Sequence, residues 1–386
     1  MLTLITNADI YTPESIGTGS VLLGGGKILF AGPGLPAIDD ALLKEKLDLE
    51  GKKLIPGLID AHVHTIGGGG EGGFSTRVPA VELSQFTRFG VTSVVGLLGN
   101  DDETRTTANL LAGTRALREQ GLSAWCWTGG YHLPVTTLTG SVRSDIVHID
   151  CVIGLGELAI SDHRSSQPTF DELARLASEV HVAGMISGKA GIVHLHLGDG
   201  GRGLELLQRL LSETELPPGV FHPTHVNRRK ALFDQACDLS QQGVTIDLTA
   251  FPVEHDDEWP AEDAWQLFHE RGCPPANVTV SSDSGGCLPR FDEHGRMTQM
   301  GVGTSAALMQ WLQELCARGY QLEQVLPAIT SNVSTLLSLP GKGRIAPDMD
   351  ADLVCLDDSL QVQHVMAGGQ WMVRDGVAVI KGMFEG

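Results

Sequence analysis

Eight short apolar runs recur between residues 54 and 340, each followed by polar loop residues and a stretch with helical spacing. In order they are LIPGLIDAHVH, VTSVVGLLG, SAWCWTGG, CVIGLGELAI, GIVHLHLG, GVFHPTHV, VTIDLTAF and NVTVSSDSGG. Between them lie segments such as TANLLAGTRALREQG, FDELARLASEVHVAG and RKALFDQACDLSQQG, with apolar residues at i, i+3, i+4 and i+7. Runs this apolar are buried on both faces, which suits a parallel sheet. Eight of them alternating with helices predict an α/β chain closed into a (β/α)8 TIM-like barrel.

The two ends of the chain have another texture. Residues 1–53 alternate short apolar runs with turn signals, and GGGK between SVLL and ILFAG suits a tight hairpin. The same pattern returns in ADLVCLDD and HVMAGGQWMVRDGVAVIKG, where Gly368-Gly369 and Asp375-Gly376 read as turns. A small β-sandwich domain built from both chain ends, 1–53 plus 341–386, is therefore expected. Residues 54–340 would form the metal-dependent barrel and carry catalysis.

Charge narrows the partners. With 27 Lys+Arg against 47 Asp+Glu the net charge is −20, and no basic run interrupts it. Phosphate backbones need clustered cations, so neither nucleic acid nor an anionic membrane is expected as a partner. No apolar run reaches the ~18 residues of a membrane helix. The start MLTLITNADIYTPE also lacks a signal peptide's basic and apolar regions. Seven scattered cysteines without a CxxC pair read as buried thiols in a reducing cytosol. The expected location is cytoplasmic.

In such a barrel, chemistry sits at the C-terminal ends of the strands. The first run ends in Asp60-Ala-His62-Val-His64, and residues i and i+2 share a strand face. Glu157, His196, His225 and Asp283 fall at the ends of the fourth, fifth, sixth and eighth runs. One HxH is often incidental, but four imidazoles and two carboxylates at the same end of five strands are not. The set suits two zinc-like divalent ions with room for a bridging water. His194 lies one pleat deeper than His196 and is expected to be structural, while His222 is expected to face away from His225. His132, His148, His181, His255, His269, His294 and His364 have no partner at ligand spacing. His163, beside Asp162, either orients a ligand or is exposed.

IPGLIDAHVH (55–64) resembles the first barrel strand of the amidohydrolase superfamily. Longer stretches resemble its isoaspartyl (β-aspartyl) dipeptidase family: HTIGGGGEGG, TGGYHLPVTTLTGSV, AISDHRS, HLGDG, PTHVNR and VTVSSDSGG. The resemblance implies a binuclear zinc site, one metal on His62, His64 and Asp283 and the other on His196 and His225. A carboxylate and a hydroxide would bridge them. In much of the family the bridge is a carboxylated lysine on strand 4, where this chain has Glu157; Lys189 precedes the fifth run. The bridge is therefore assigned to Glu157, whose two oxygens can span two cations. The resemblance also makes a homo-oligomer the expectation, the family suggesting an octamer.

The implied reaction is hydrolysis of the isopeptide bond of β-aspartyl dipeptides. Metal ions lower a bound water's pKa from about 15.7 to about 7. Asp283 would shuttle the proton to the leaving amine, and Tyr131 would donate to the oxyanion. Glu71 would accept the substrate ammonium, and Arg164 and Arg228 would bind its carboxylates. Asn100 and Cys287 depart from the family's Thr and Ser at substrate-contacting positions. Two alternatives stand beside this: another amidohydrolase reaction on a cyclic amide, imide or N-acyl amino acid, and a metal-free scaffold.

Overall fold

The computed structural model describes residues 2–251, 259–291 and 297–386; His255 and His294 lie outside the described residues. Five strands open the chain: β1 (Leu2–Tyr11), β2 (Ser15–Gly24), β3 (Lys27–Gly32), β4 (Leu43–Asp48) and β5 (Lys53–Pro56). The β2–β3 hairpin turns on Gly25 and Gly26, with φ of 61° and 79°, a conformation glycine enters without penalty.

Eight parallel strands follow: β6 (Leu58–Val63), β7 (Val91–Gly96), β8 (Ser123–Thr128), β9 (Val152–Ile160), β10 (Ile192–Leu197), β11 (Phe221–Thr224), β12 (Ile246–Thr249) and β13 (Val278–Ser281). One helix crosses between each consecutive pair: α1 (Leu83–Thr87), α2 (Thr107–Glu119), α3 (Val142–His148), α4 (Phe170–Ser187), α5 (Glu205–Glu213), α6 (Lys230–Ser240) and α7 (Ala261–Glu270). The eight strands coincide with the eight apolar runs of the sequence. Each helix buries one stripe on the sheet; α4 starts at a Thr169–Glu172 capping box and stops at left-handed Gly188.

Strands β6 to β11 pair in order, and β12 pairs with β13. Two seams complete the barrel. Between β11 and β12 the Asn227 side chain replaces a ladder, donating to Thr249 O at 3.0 Å and accepting from Thr249 N at 2.9 Å. Between β13 and β6, His64 N donates to Ser284 O at 2.8 Å. The closure brings the first and last strand ends together, and with them His62, His64 and Asp283.

A hairpin, β14 (Cys287–Phe291) with β15 (Met297–Val302), rises directly after β13. Its presence was not expected from the sequence. Helices α8 (Ala306–Ala317), α9 (Leu322–Val325) and α10 (Ser331–Leu336) then lead to β16 (Leu353–Leu356), β17 (Val362–Ala367), β18 (Gln370–Arg374) and β19 (Val377–Ala378). β16 pairs antiparallel with β5, so both chain ends join one nine-stranded sheet. That sheet has its own core, including Ile5, Ile10, Val21, Leu54, Leu353 and Met366. Among the described residues, no helix is long and apolar enough to cross a membrane.

Candidate metal centre and substrate cavity

His62 is the fifth residue of β6, and His64 follows the strand end, both directed into the barrel mouth. Gly99, after β7, makes the space: a Cβ there would lie 2.7 Å from His64 Cε1. Glu157 comes from the interior of β9, next to Gly156, to which it is joined by a cis peptide bond. His225 and Asp283 each stand just beyond a strand with left-handed φ, 61° and 52°. Those kinks turn both side chains inward after the strand period has ended.

Glu157 lies at the centre, 1 % exposed. Its Oε1 is 3.6 Å from His64 Nε2, while Oε2 is 3.6 Å from both His62 Nε2 and His225 Nε2. Asp283 Oδ1 lies 3.2 Å from His64 Nε2 and 3.5 Å from His62 Nε2. His196 Nδ1 is closer, 3.0 Å from Glu157 Oε2. Gaps beyond 3 Å are poor hydrogen bonds, but they match the edge of a tetrahedron around a cation with ~2.1 Å bonds. His62 Nε2, Glu157 Oε1 and Asp283 Oδ1 are moreover buried without a hydrogen-bond partner, a costly state that a cation would relieve.

Among the described residues, two groups of ligand atoms are close enough to hold an ion, His62 with His64 and Asp283, and His62 with Glu157 and His225. The donors thus fit divalent cations. His196 stands outside both groups, with Nε2 held by Asp162 at 3.0 Å and Nδ1 near the Tyr131 hydroxyl at 2.8 Å.

Electrostatics follow from the crowding. Burial opposes charge on Glu157, but His62 and His196 outweigh it and hold its carboxyl well below the usual range. His62 is pushed up to about 9, burial being overcome by Glu157 and Asp283. Burial drives His225 down to about 3. A neutral imidazole beside an ionised carboxylate is the form a cation requires.

The cavity above this centre encloses about 480 Å³ and is lined by Glu71, Asn100, Tyr131, Arg164, Arg228 and Cys287 among others. Arg164 forks onto Asp162 at 3.0 and 2.7 Å and lies 5.4 Å from the Tyr131 ring centre. It also reaches Glu71 at 3.5 Å, and the Cys287 thiol reaches the other Glu71 oxygen at 3.1 Å. Arg228 Nε has no hydrogen-bond partner among the described residues. Lys189 is excluded from the centre, since its Nζ donates to Ile146 O and Ile149 O at the opposite end of the barrel.

No family model matches the chain. Imidazolonepropionase of Methylobacterium sp. (strain 4-46) is 31% identical over 129 residues, 33% of this chain. The match spans only 32% of that relative's length. A solved structure is far more similar: the β-aspartyl dipeptidase of Fervidobacterium islandicum AW-1, in complex with the β-Asp-Leu dipeptide. It is 42% identical, with 98% of each chain covered and a TM-score of 0.90. The chain belongs to the β-aspartyl dipeptidase family. D-hydantoinase, at 15% identity and a TM-score of 0.70, shares the fold.

In this β-aspartyl dipeptidase relative, three acidic residues given no role from the sequence brace the site. Asp162 holds both His196 and Arg164, Asp102 binds the His132 ring at 2.8 Å, and Asp60 accepts from Ser282. Asp60, in the first run, and Asp162, in SDHRS, lie in stretches the sequence singled out; Asp102 does not. His163 is exposed, its side chain at 89%. The expectation for His222 needs correction. It faces the barrel interior and meets His194 at 3.0 Å, because the left-handed kink at His225 breaks the alternation used to orient it.

Proposed function

We propose that the chain hydrolyses the isopeptide bond of β-aspartyl dipeptides, with two divalent cations, zinc by their donor set, at the barrel mouth. The observation that carries this is full-length similarity to an enzyme solved with β-Asp-Leu. In support, one cavity brings Glu71, Tyr131, Arg164, Arg228 and Asp283 around a single space. His62, His64 and Asp283 are assigned to one cation and His196 and His225 to the other, with Glu157 between them.

Cations bound there acidify water and polarise a carbonyl. Asp283 takes the proton of the attacking water as its oxygen adds to the carbonyl carbon. It then delivers that proton to the nitrogen as the C–N bond breaks, releasing aspartate and an amino acid. The Tyr131 hydroxyl donates to the carbonyl oxygen as charge develops. Burial and Glu157 hold that phenol protonated, its pKa pushed well above the ordinary value. Glu71 receives the substrate ammonium, Arg164 and Arg228 its carboxylates, and Asn100 and Cys287 line the same space. Two carboxylates and an ammonium demand this charge pattern; a neutral cyclic amide does not.

A homo-oligomer completes the reading, supported by Met185 and Ile186 on α4, 71% and 65% exposed. A cytoplasmic location is supported by seven cysteines that are all unpaired. The test combines metal analysis with turnover of β-Asp-Leu against α-Asp-Leu. Two zinc ions per chain and cleavage of the β-linked peptide alone are expected. Two metals with neither peptide cleaved would move the substrate to cyclic amides or acylated amino acids.

A further inference from the structure

A line of polar side chains runs from the candidate metal centre down through the barrel core. His62 Nδ1 lies 2.8 Å from His194 Nε2, and His194 Nδ1 lies 3.0 Å from His222 Nδ1. His222 Nε2 is 3.0 Å from Thr279 Oγ1, which donates to Asp247 Oδ1 at 2.6 Å. All three imidazoles, Thr279 and Asp247 are fully buried, so bulk water does not compete for these contacts.

The buried end sets the polarity. Asp247 accepts hydroxyl protons from Thr279, from Thr224 at 2.7 Å and from Ser281 at 2.5 Å, a set of donors that fills its oxygens. The Thr279 proton is committed to that carboxyl group, at 2.6 Å the shortest contact of the line. Thr279 must then accept from His222 Nε2–H. Burial pushes His222 down to about 4, so it is neutral and its Nδ1 is bare. That nitrogen accepts from His194 Nδ1–H, which leaves His194 Nε2 to accept from His62 Nδ1–H. Trp127, stacked on His194 at 5.1 Å and 8°, keeps the middle ring in plane.

We infer that Asp247, Thr279, His222 and His194 are positioning residues that fix the tautomer of His62. They hold a proton on Nδ1 and so leave Nε2, which faces Glu157 and Asp283, as the nitrogen a cation would take. Each donor has one acceptor, and a single reversed ring would set two protons or two lone pairs against each other. The inference rests on His62 being a metal ligand, as proposed above. It assigns a role to two histidines, a threonine and an aspartate outside the ligand set. Partners beyond the ligands typically change metal affinity 10–100-fold.

The decisive measurement is neutron diffraction on crystals of the metal-stripped, full-length chain. Deuterium is expected on Nδ1 of His62 and His194 and on Nε2 of His222; deuterium on His194 Nε2 or His222 Nδ1 overturns the relay. A second readout is zinc affinity by chelator competition. Thr279→Val, near-isosteric but unable to accept, is expected to bind zinc at least ~10-fold more weakly, and Thr279→Ser to restore it. Thr279→Val that melts lower yet binds zinc as tightly as the wild type leaves only packing for these residues and overturns the role. A wild-type chain that takes up no zinc refutes the metal reading instead, and the neutron map still decides the polarity.

Discussion

Asp283 sits in left-handed backbone, φ 52°, one step past the residue that follows β13. Aspartate tolerates that conformation better than most residues, and there its carboxylate faces both His62 and His64. In Asp283→Asn the shape survives and the base does not. Turnover of a β-aspartyl dipeptide should fall by ~10²–10⁴ with an unchanged circular dichroism spectrum; residual activity near wild type would remove it as proton carrier. Tyr131 has a different task. Its hydroxyl, 2.8 Å from His196 Nδ1, is aimed at the centre rather than into packing. Tyr131→Phe should lower kcat by ~10²–10³ and leave KM within a few-fold. Equal, small changes in both constants would sink the oxyanion role. Glu157 is shorter than a carboxylated lysine, yet its two oxygens lie 3.0–3.6 Å from the four imidazoles assigned to the centre.

Elements are joined here by a few buried charges. Lys342, in the link between α10 and β16, donates to Ser123 at the start of β8 and to Asp352, both at 2.6 Å. It also pairs with Asp350 at 2.8 Å, which in turn pairs with Lys27 on β3. A barrel strand is thereby tied to the terminal sheet through one ammonium. Removing it in Lys342→Met strands the buried Asp352 carboxylate with only the Gly368 amide. The expected cost is ~3–5 kcal/mol, read as a lower urea midpoint, with zinc content unchanged. A midpoint within error of wild type would mean that the apolar contacts alone join the two parts. The β14–β15 hairpin acts at the same scale, since it follows Asp283 and carries Cys287 and Met300 to the cavity wall.

For the whole molecule, the buried histidines link stability to pH. His222 is pushed from 6.5 down to about 4 by burial, so the fold keeps it neutral while the unfolded chain binds a proton. Its contribution is intact above pH 6.5 and is lost as pH falls to about 4. The loss amounts to about 3 kcal/mol. Urea titrations of the metal-stripped chain across that window should show the decline, and His222→Phe should flatten part of it. A wild-type stability independent of pH there would mean that His222 is protonated within the fold.

The sequence by itself determined the eight barrel strands, because an apolar run buried on both faces is written in consecutive residues. It also placed His62, His64, His196, His225 and Asp283 at or just past the ends of those strands, while Glu157 lies inside β9 rather than at its end. The Gly-rich hairpin signals at both ends were legible for the same reason. What only the tertiary structure decided is how residues far apart in the chain meet. His62 and Asp283 share a centre because β13 returns to β6, and no local pattern encodes that seam. Asp247 and Thr279 look like ordinary polar residues until the folded barrel sets them beneath a histidine. His222 faced the wrong way on paper because a single left-handed residue, His225, resets the alternation. Periodicity reports burial along one element; hydrogen bonding across the barrel depends on closure, and closure is a property of all eight strands together.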